Sequence, residues 1–465
     1  MRIPFAVASY LHRSLPISAQ RLINLFPENQ PPTAKAPTPL LPTPGLLQFS
    51  TLPQAPFRGA HVMGQDLYVV AATDVIRINV NGTGVALGSV PNGGPVSMDS
   101  NGEDLCIVIP ETSEAYTVNR TSGVVAKITD PDFGGATSVC VIDGYYIFSS
   151  PNSGEFFISA INDPTSFDAL DFATAEGAAD NIITVARVGR DLWLFGSSTI
   201  EIWSNVGATD FPFMRISGGF ITRGTSAQFS VATRAGTAIW LGDDRVVYAA
   251  DGVRPQRIST HAIEQALAGY ETVADAVGWV YELEGHAFYV LTFPDAGDTW
   301  VFDFATGLWH ERESEGLGVW RATRGVAFAG GVVAGDTDGQ QLWLLDPTRM
   351  TEGGAQIIRV ATGTPLHAEG KKVFFSRLAA EFECGVGLAS GQGSDPTVWL
   401  AWSDDGGRTW SNDASASIGR QGVYRARAEW RRLGAARDRV FRLQWADPVF
   451  TSLAAVNIEA EAGDG

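Results

Sequence analysis

The chain has 465 residues, 45% of them apolar, and a formal net charge of −18. That length supports a sizeable core, and the acidity excludes free nucleic-acid binding by the whole surface, because affinity for phosphate rests on Lys and Arg. No stretch reaches the roughly 20 apolar residues of a membrane helix, and three scattered cysteines, Cys106, Cys140 and Cys384, exclude a disulfide framework or a CxxC pair.

The N-terminal "MRIPFAVASYL" is a short apolar run broken by Pro4 and followed by His12 and Arg13, so no secretory signal is expected. Few cysteines and no signal fit synthesis in a reducing cytoplasm. Residues 1–58 hold eleven of the 24 prolines. "ENQPPTAKAPTPLLPTPG" (28–45) is incompatible with a helix or a central strand, because proline lacks the N–H donor. The apolar "QRLINLFP" and "GLLQF" on either side predict an extended arm laid over a surface.

Residues 59–346 carry a loose repeat. Its apolar cores are "QDLYVVAA", "EDLCIVI", "GYYIFSS", "RDLWLFGSS", "TAIWLGDD", "HAFYVLTF" and "GGVVAGD". Each is preceded by an alternating strand and most are followed by another. The aligned positions Leu67, Leu105, Tyr145, Leu192, Ile239, Phe288 and Val332 are 38 to 49 residues apart. That period predicts four-stranded blades of a β-propeller, six to seven of them, stacked radially so that each buries both faces. A row of separate sandwiches is the alternative. "STHAIEQALAGY" (259–270) predicts one helix between blades, capped by Ser259 or Thr260, with Ile263, Leu267 and Tyr270 on one face.

After Pro347 the strands lengthen: "QIIRVATG", "KVFFSRLAAEFEC", "TVWLAWSDDG", "VYRARAEWRRLG" and "RVFRLQWADP". The chain therefore reads as all-β, with an extended arm at 1–58, a propeller at 59–346 and a sandwich-like unit at 347–465.

Within that last unit, "AWSDDGGRTWS" contains Ser403, Asp405, Gly407, Thr409 and Trp410 in the order of an Asp box, S-x-D-x-G-x-T-W. Sialidase-like propellers repeat this box and add an arginine cluster, a Tyr nucleophile and paired acids. Here one box stands outside the repeat, which favours a turn held by Asp and Gly. A carbohydrate-binding or sialidase-like propeller is one function to weigh, and a generic propeller interaction scaffold is another. The six histidines lack metal-ligand spacing, and neither G-x-S-x-G nor a P-loop occurs. No catalytic, metal or cofactor site is expected. The arginines concentrate between 420 and 442. In "VYRARAEWRR", strand alternation puts Arg425, Arg427 and Arg431 on one face with Glu429, and Tyr424, Ala426, Ala428 and Trp430 on the other. The arginine face is a candidate dock for an acidic protein neighbour.

Several stretches together carry a resemblance: "RDLWLFGSSTIEIWS" (190–204), "PQRISTHAIEQAL" (255–267), "INLFPENQ" ahead of "LPTPGL", and "WSDDGGRTWS" followed by "YRARAEWRRLGAARDRVFRLQWADPV". In this layout the chain resembles the packaged-DNA stabilisation proteins, or tail hub (nozzle) proteins, of short-tailed bacteriophages. The resemblance implies a non-enzymatic virion protein made in the host cytoplasm. It implies a homohexameric ring below the portal and its adaptor, with contacts to a plug or needle and to tailspikes or fibres. Such a ring retains packaged DNA and lets it pass without specific binding. The family's motifs here are structural, so no binding residue is carried over.

Overall fold

The computed structural model describes residues 2–3 and 5–463, and almost all of its regular structure is β-strand. The repeat becomes seven four-stranded antiparallel units, five of them separate sheets and two of them parts of larger sheets. Their first strands are Phe57–Met63, Ser97–Ser100, Ser138–Ile142, Ile182–Val188, Ala232–Arg234, Val277–Leu283 and Ala322–Phe328. Each touches the next, and the last touches the first, so the sheets close into a ring. The ring holds seven such units, within the six to seven expected.

The aligned apolar cores are the second strands of the blades, for example Asp66–Ala71 in blade 1. Period-2 alternation explains why these strands are apolar on both sides. Leu67 and Val69 pack with Phe328 and Val333 of blade 7, while Tyr68 and Val70 pack with Leu105 and Ile107 of blade 2. The helix is His261–Gly269, between blades 5 and 6, and the Thr260 hydroxyl accepts from the Ile263 N–H at 3.4 Å. Ile263 and Leu267 are fully buried beneath it.

The N-terminal segment does more than lie on a surface. Gly45–Thr51 is the outer strand of blade 7, running antiparallel to Gln341–Asp346 with Gly45 opposite Asp346. The two ends of the ring are thereby joined by backbone hydrogen bonds, which leaves no open seam. Upstream, Ala19–Ile23 pairs with Arg359–Thr362 and meets the outer strand of blade 6 at Ile23 and Glu311. One sheet therefore runs from blade 6 through the N-terminal strand into the C-terminal unit. The proline-rich stretch holds a single short strand, Leu40–Pro42, which pairs with Leu25–Pro27 and through Leu40 alone with Leu453.

The C-terminal unit is a β-sandwich. One sheet contains Thr397–Ser403 and Asp438–Trp445; the other is built on Val373–Phe382 and Leu453–Ala462. Between them lies a core that includes Leu378, Leu400, Leu443 and Trp445, with Phe5 and Leu22 of the N-terminal segment. The strand expected through "VYRARAEWRR" is shorter than its pattern. Only Ala428–Arg431 pairs, opposite Arg377–Ala380. Residues before it turn: Gly419 and Gly422 have φ of 116° and 82°, and the Gly422 and Val423 N–H groups donate to Gly385 and Arg420 carbonyls. Those bonds consume groups that a ladder would need. Arg425 therefore sits on a turn and Arg427 on irregular backbone just ahead of the strand, and Tyr424 is 74% exposed instead of facing inward.

Candidate functional site

Two places carry the residues singled out by sequence: the Asp-box turn and the arginine tip of the sandwich. The box closes the hairpin between Thr397–Ser403 and Ala414–Ser417. Ser403 Oγ donates to Asp405 Oδ1 at 2.7 Å and accepts from the Gly407 N–H at 2.7 Å. The Asp405 carboxylate accepts from the Arg408 and Thr409 N–H groups, each at 2.9 Å, and from the Thr409 hydroxyl at 2.6 Å. The hydroxyls of Ser403 and Thr409, followed by the backbone donors, hold this carboxyl well below the usual carboxylate range. An acid so saturated by its own turn has no proton to give, so the general-acid role of a glycosidase is closed to it.

Gly407 has φ of 95°, a region that L side chains avoid. The turn also has a partner. A Cβ on Gly406 would lie 3.0 Å from the Pro16 nitrogen, and one on Gly407 would lie 3.2 Å from the Ala19 Cβ. The box is thus a platform on which the N-terminal segment rests. Trp410 is half-buried under the Arg442 guanidinium, 4.4 Å from the ring centre. Asp404 beside it forms a two-pronged ion pair, at 2.6 and 2.7 Å, with the buried Arg439. That guanidinium also lies over Phe375 and Trp402.

Replacing Asp405 with Ala should loosen this platform. The expected result is a lower melting temperature and faster protease cleavage within residues 12–18, relative to the parent. Unchanged cleavage would mean that the turn does not hold the segment.

The three candidate docking arginines do not share one strand face. Arg425 and Arg427 are exposed and form no ion pair within 4 Å among the described residues. Arg431 is exposed on the strand and reaches Glu429 at 3.3 Å. Glu429 is also held by Arg377. Two arginines of the cluster, Arg439 and Arg442, turn inward to Asp404 and Trp410. Alternation could not separate these inward arginines from the exposed ones.

Sequence reasoning missed a buried polar knot at the ring closure. Arg312 and Glu352 are 0% and 2% exposed and lie 3.6 Å apart. Glu352 also accepts from the Trp320 indole at 3.0 Å and from the Ser314 hydroxyl at 2.5 Å. Arg312 lies over Trp320, 3.8 Å from the ring centre, and donates to the Pro44 carbonyl at 3.2 Å. Burial pushes the Glu352 pKa up and the Arg312 pKa down, each offset in part by the other's charge. Among the described residues no group of His, Cys, Asp or Glu could hold a metal ion, and no helix is long and apolar enough to cross a membrane.

The family model "Bacteriophage P22 Gp10, beta-propeller" matches residues 1–350, and "Bacteriophage P22 Gp10, beta-sandwich" matches residues 359–461. The chain belongs to the P22 Gp10 family. Family members are structural proteins of the phage tail that stabilise packaged DNA. No curated protein matches the chain. Solved structures similar to it include virginiamycin B lyase from Staphylococcus aureus, at 9% identity and a TM-score of 0.46, over 65% of this chain and 98% of that one. BamB from Moraxella catarrhalis is similar at 10% identity and a TM-score of 0.40, over 70% and 98%. At these values neither likeness says anything about what a P22 Gp10 relative binds or does.

Proposed function

We propose that this chain is the tail hub, or nozzle, subunit of a short-tailed phage. Copies assemble as a ring, a hexamer in this reading, below the portal and its adaptor. The ring retains packaged DNA and forms part of the exit channel. It also seats a plug or needle and tailspikes or fibres. The observation that carries the reading is the match to P22 Gp10 models over both the propeller and the sandwich.

Charge supports the channel role. A conduit must let DNA slide, and phosphate contacts at low salt would grip it. With 51 acidic and 33 basic residues, a wall of this protein is acidic or neutral on average. The exposed arginines are then better used against protein. Arg425 and Arg427 form no ion pair within 4 Å among the described residues, although Glu381 feels the Arg427 charge, and Tyr424 beside them is 74% exposed, a combination suited to a desolvated contact with an acidic neighbour.

The test is to replace Arg425, Arg427 and Arg431 together with Gln. Particles should assemble at least tenfold less well or leak DNA, more so at high salt. Normal assembly with altered DNA passage alone would put these arginines in the channel and sink the assignment. The Asp-box carboxylate, the feature that raised the carbohydrate alternative, is spent on its own turn.

A further inference from the structure

The axis of the propeller holds an arginine without a partner. Arg324 lies in the inner strand of blade 7, where the pairing register slips between Thr323 and Val326. Its φ is 49°, a left-handed conformation that costs energy for any residue with a Cβ. A bulge of this kind re-aims a side chain. Here the guanidinium is carried over the ring of Phe229, 4.3 Å from its centre. Phe229 belongs to a single helical turn, Gln228–Ser230, inserted at the axis between blades 4 and 5. Gln228 fixes the insertion by donating from Nε2 to the Thr137 carbonyl of blade 3 at 2.6 Å.

The same guanidinium faces a cavity of about 220 Å³. Its wall comes from blades 2, 4, 6 and 7 and from the inserted turn, including Ser97, Thr184, Gln228 and Gly278. No carboxylate lines it. Arg324 makes no ion pair or hydrogen bond among the described residues, and its buried Nη2 has no acceptor. Desolvation without a counter-charge lowers its pKa to about 9. The residue is half-buried, with Nη2 shut off from water; a buried donor without an acceptor is costly, and a strained backbone that holds one in place calls for something to receive it.

We propose that this cavity is a binding site for a small oxyanion, a phosphate-sized ion or a carboxylate group, held by the Arg324 guanidinium. The planar fork of Arg324 suits two parallel hydrogen bonds to such a group. Thr184 and Gln228 are neutral polar residues on the same wall, as is Ser97, whose hydroxyl is also bonded to the Val139 backbone. The volume admits a phosphate or a short carboxylate and excludes a nucleotide. Bound there, the anion would pin the inserted turn to blade 7.

The test is a titration of the full-length protein with inorganic phosphate, and separately with acetate, at ionic strength held constant by chloride. Binding is read by calorimetry and by the phosphorus line width. One site per chain is expected, with the affinity lowered at least tenfold in R324Q and to a lesser degree in R324K. A response to phosphate over acetate would mark a free phosphate-like ion as the ligand. The reverse would mark a carboxylate, from a small acid or a partner's side chain. Either supports the site. No binding of either ion to the parent would overturn it, whether or not R324Q folds. So would equal binding by folded R324Q, or competition by chloride as strong as by the oxyanions.

Discussion

Replacing Glu352 with Ala is expected to destabilise the protein by about 3–5 kcal/mol, the usual cost of stranding one member of a buried ion pair. The loss falls on Arg312, which is fully buried and stacked on Trp320. With Glu352 gone, the guanidinium keeps its hydrogen bond to the Pro44 carbonyl at 3.2 Å. Trp320 and Ser314 lose their acceptor too. The position magnifies the effect, because Glu352 pairs with Leu46 on the strand that closes the ring. Urea unfolding should show the loss as a lower midpoint. A double replacement, Arg312→Met with Glu352→Leu, should recover most of it, since apolar groups of similar size need no partner. An E352A midpoint equal to the parent's would show that the knot does not hold the closure.

The second large effect is in acid. His310 is fully buried on the outer strand of blade 6, and neither ring nitrogen has a hydrogen-bond partner. Burial, with smaller contributions from the charges of Arg312 and His286, lowers its pKa from 6.5 to about 3. The folded pKa lies below the unfolded one, so the unfolded chain takes up the proton first. This contribution is complete above about pH 6.5, drains away as pH falls, and levels off below about pH 3. The shift corresponds to about 5 kcal/mol over that window. Groups around the ring are Phe26, Phe288, His286 and Arg312, with Asp303 held by His286 at 2.9 Å. A phenylalanine at 310 keeps the aromatic packing and removes the titration. Its stability should fall less steeply between pH 6.5 and 3 than the parent's. Parallel curves would show that His310 is not the group responsible.

The blades were legible because their signal is local. Leu67, Leu105 and Tyr145 each sit in a short apolar strand that must be covered on both faces, and the spacing of such strands is the spacing of blades. The helix was legible from its Thr260 cap and its buried Ile263 and Leu267. The ring closure was not. Gly45 meets Asp346 across nearly the whole propeller, and nothing in "GLLQF" names its partner. The same holds for Ala19–Ile23, which joins blade 6 to the sandwich. The arginine tip differs because alternation holds only from Ala428, and the residues from Val423 to Arg427 turn or run irregularly before that strand. In the Asp box the turn chemistry was readable from residue types, but its contact with Pro16 and Ala19 was not. Arg324 and Phe229 lie about 95 residues apart, and only the ring brings them together.

Retention of DNA is the central claim, and filled heads test it. Heads assembled without this protein should be compared with heads to which the purified protein is added back, by the fraction of genome protected from nuclease over time. The account predicts rapid loss from heads that lack it and restored protection on addition. Equal protection with and without the protein would contradict it.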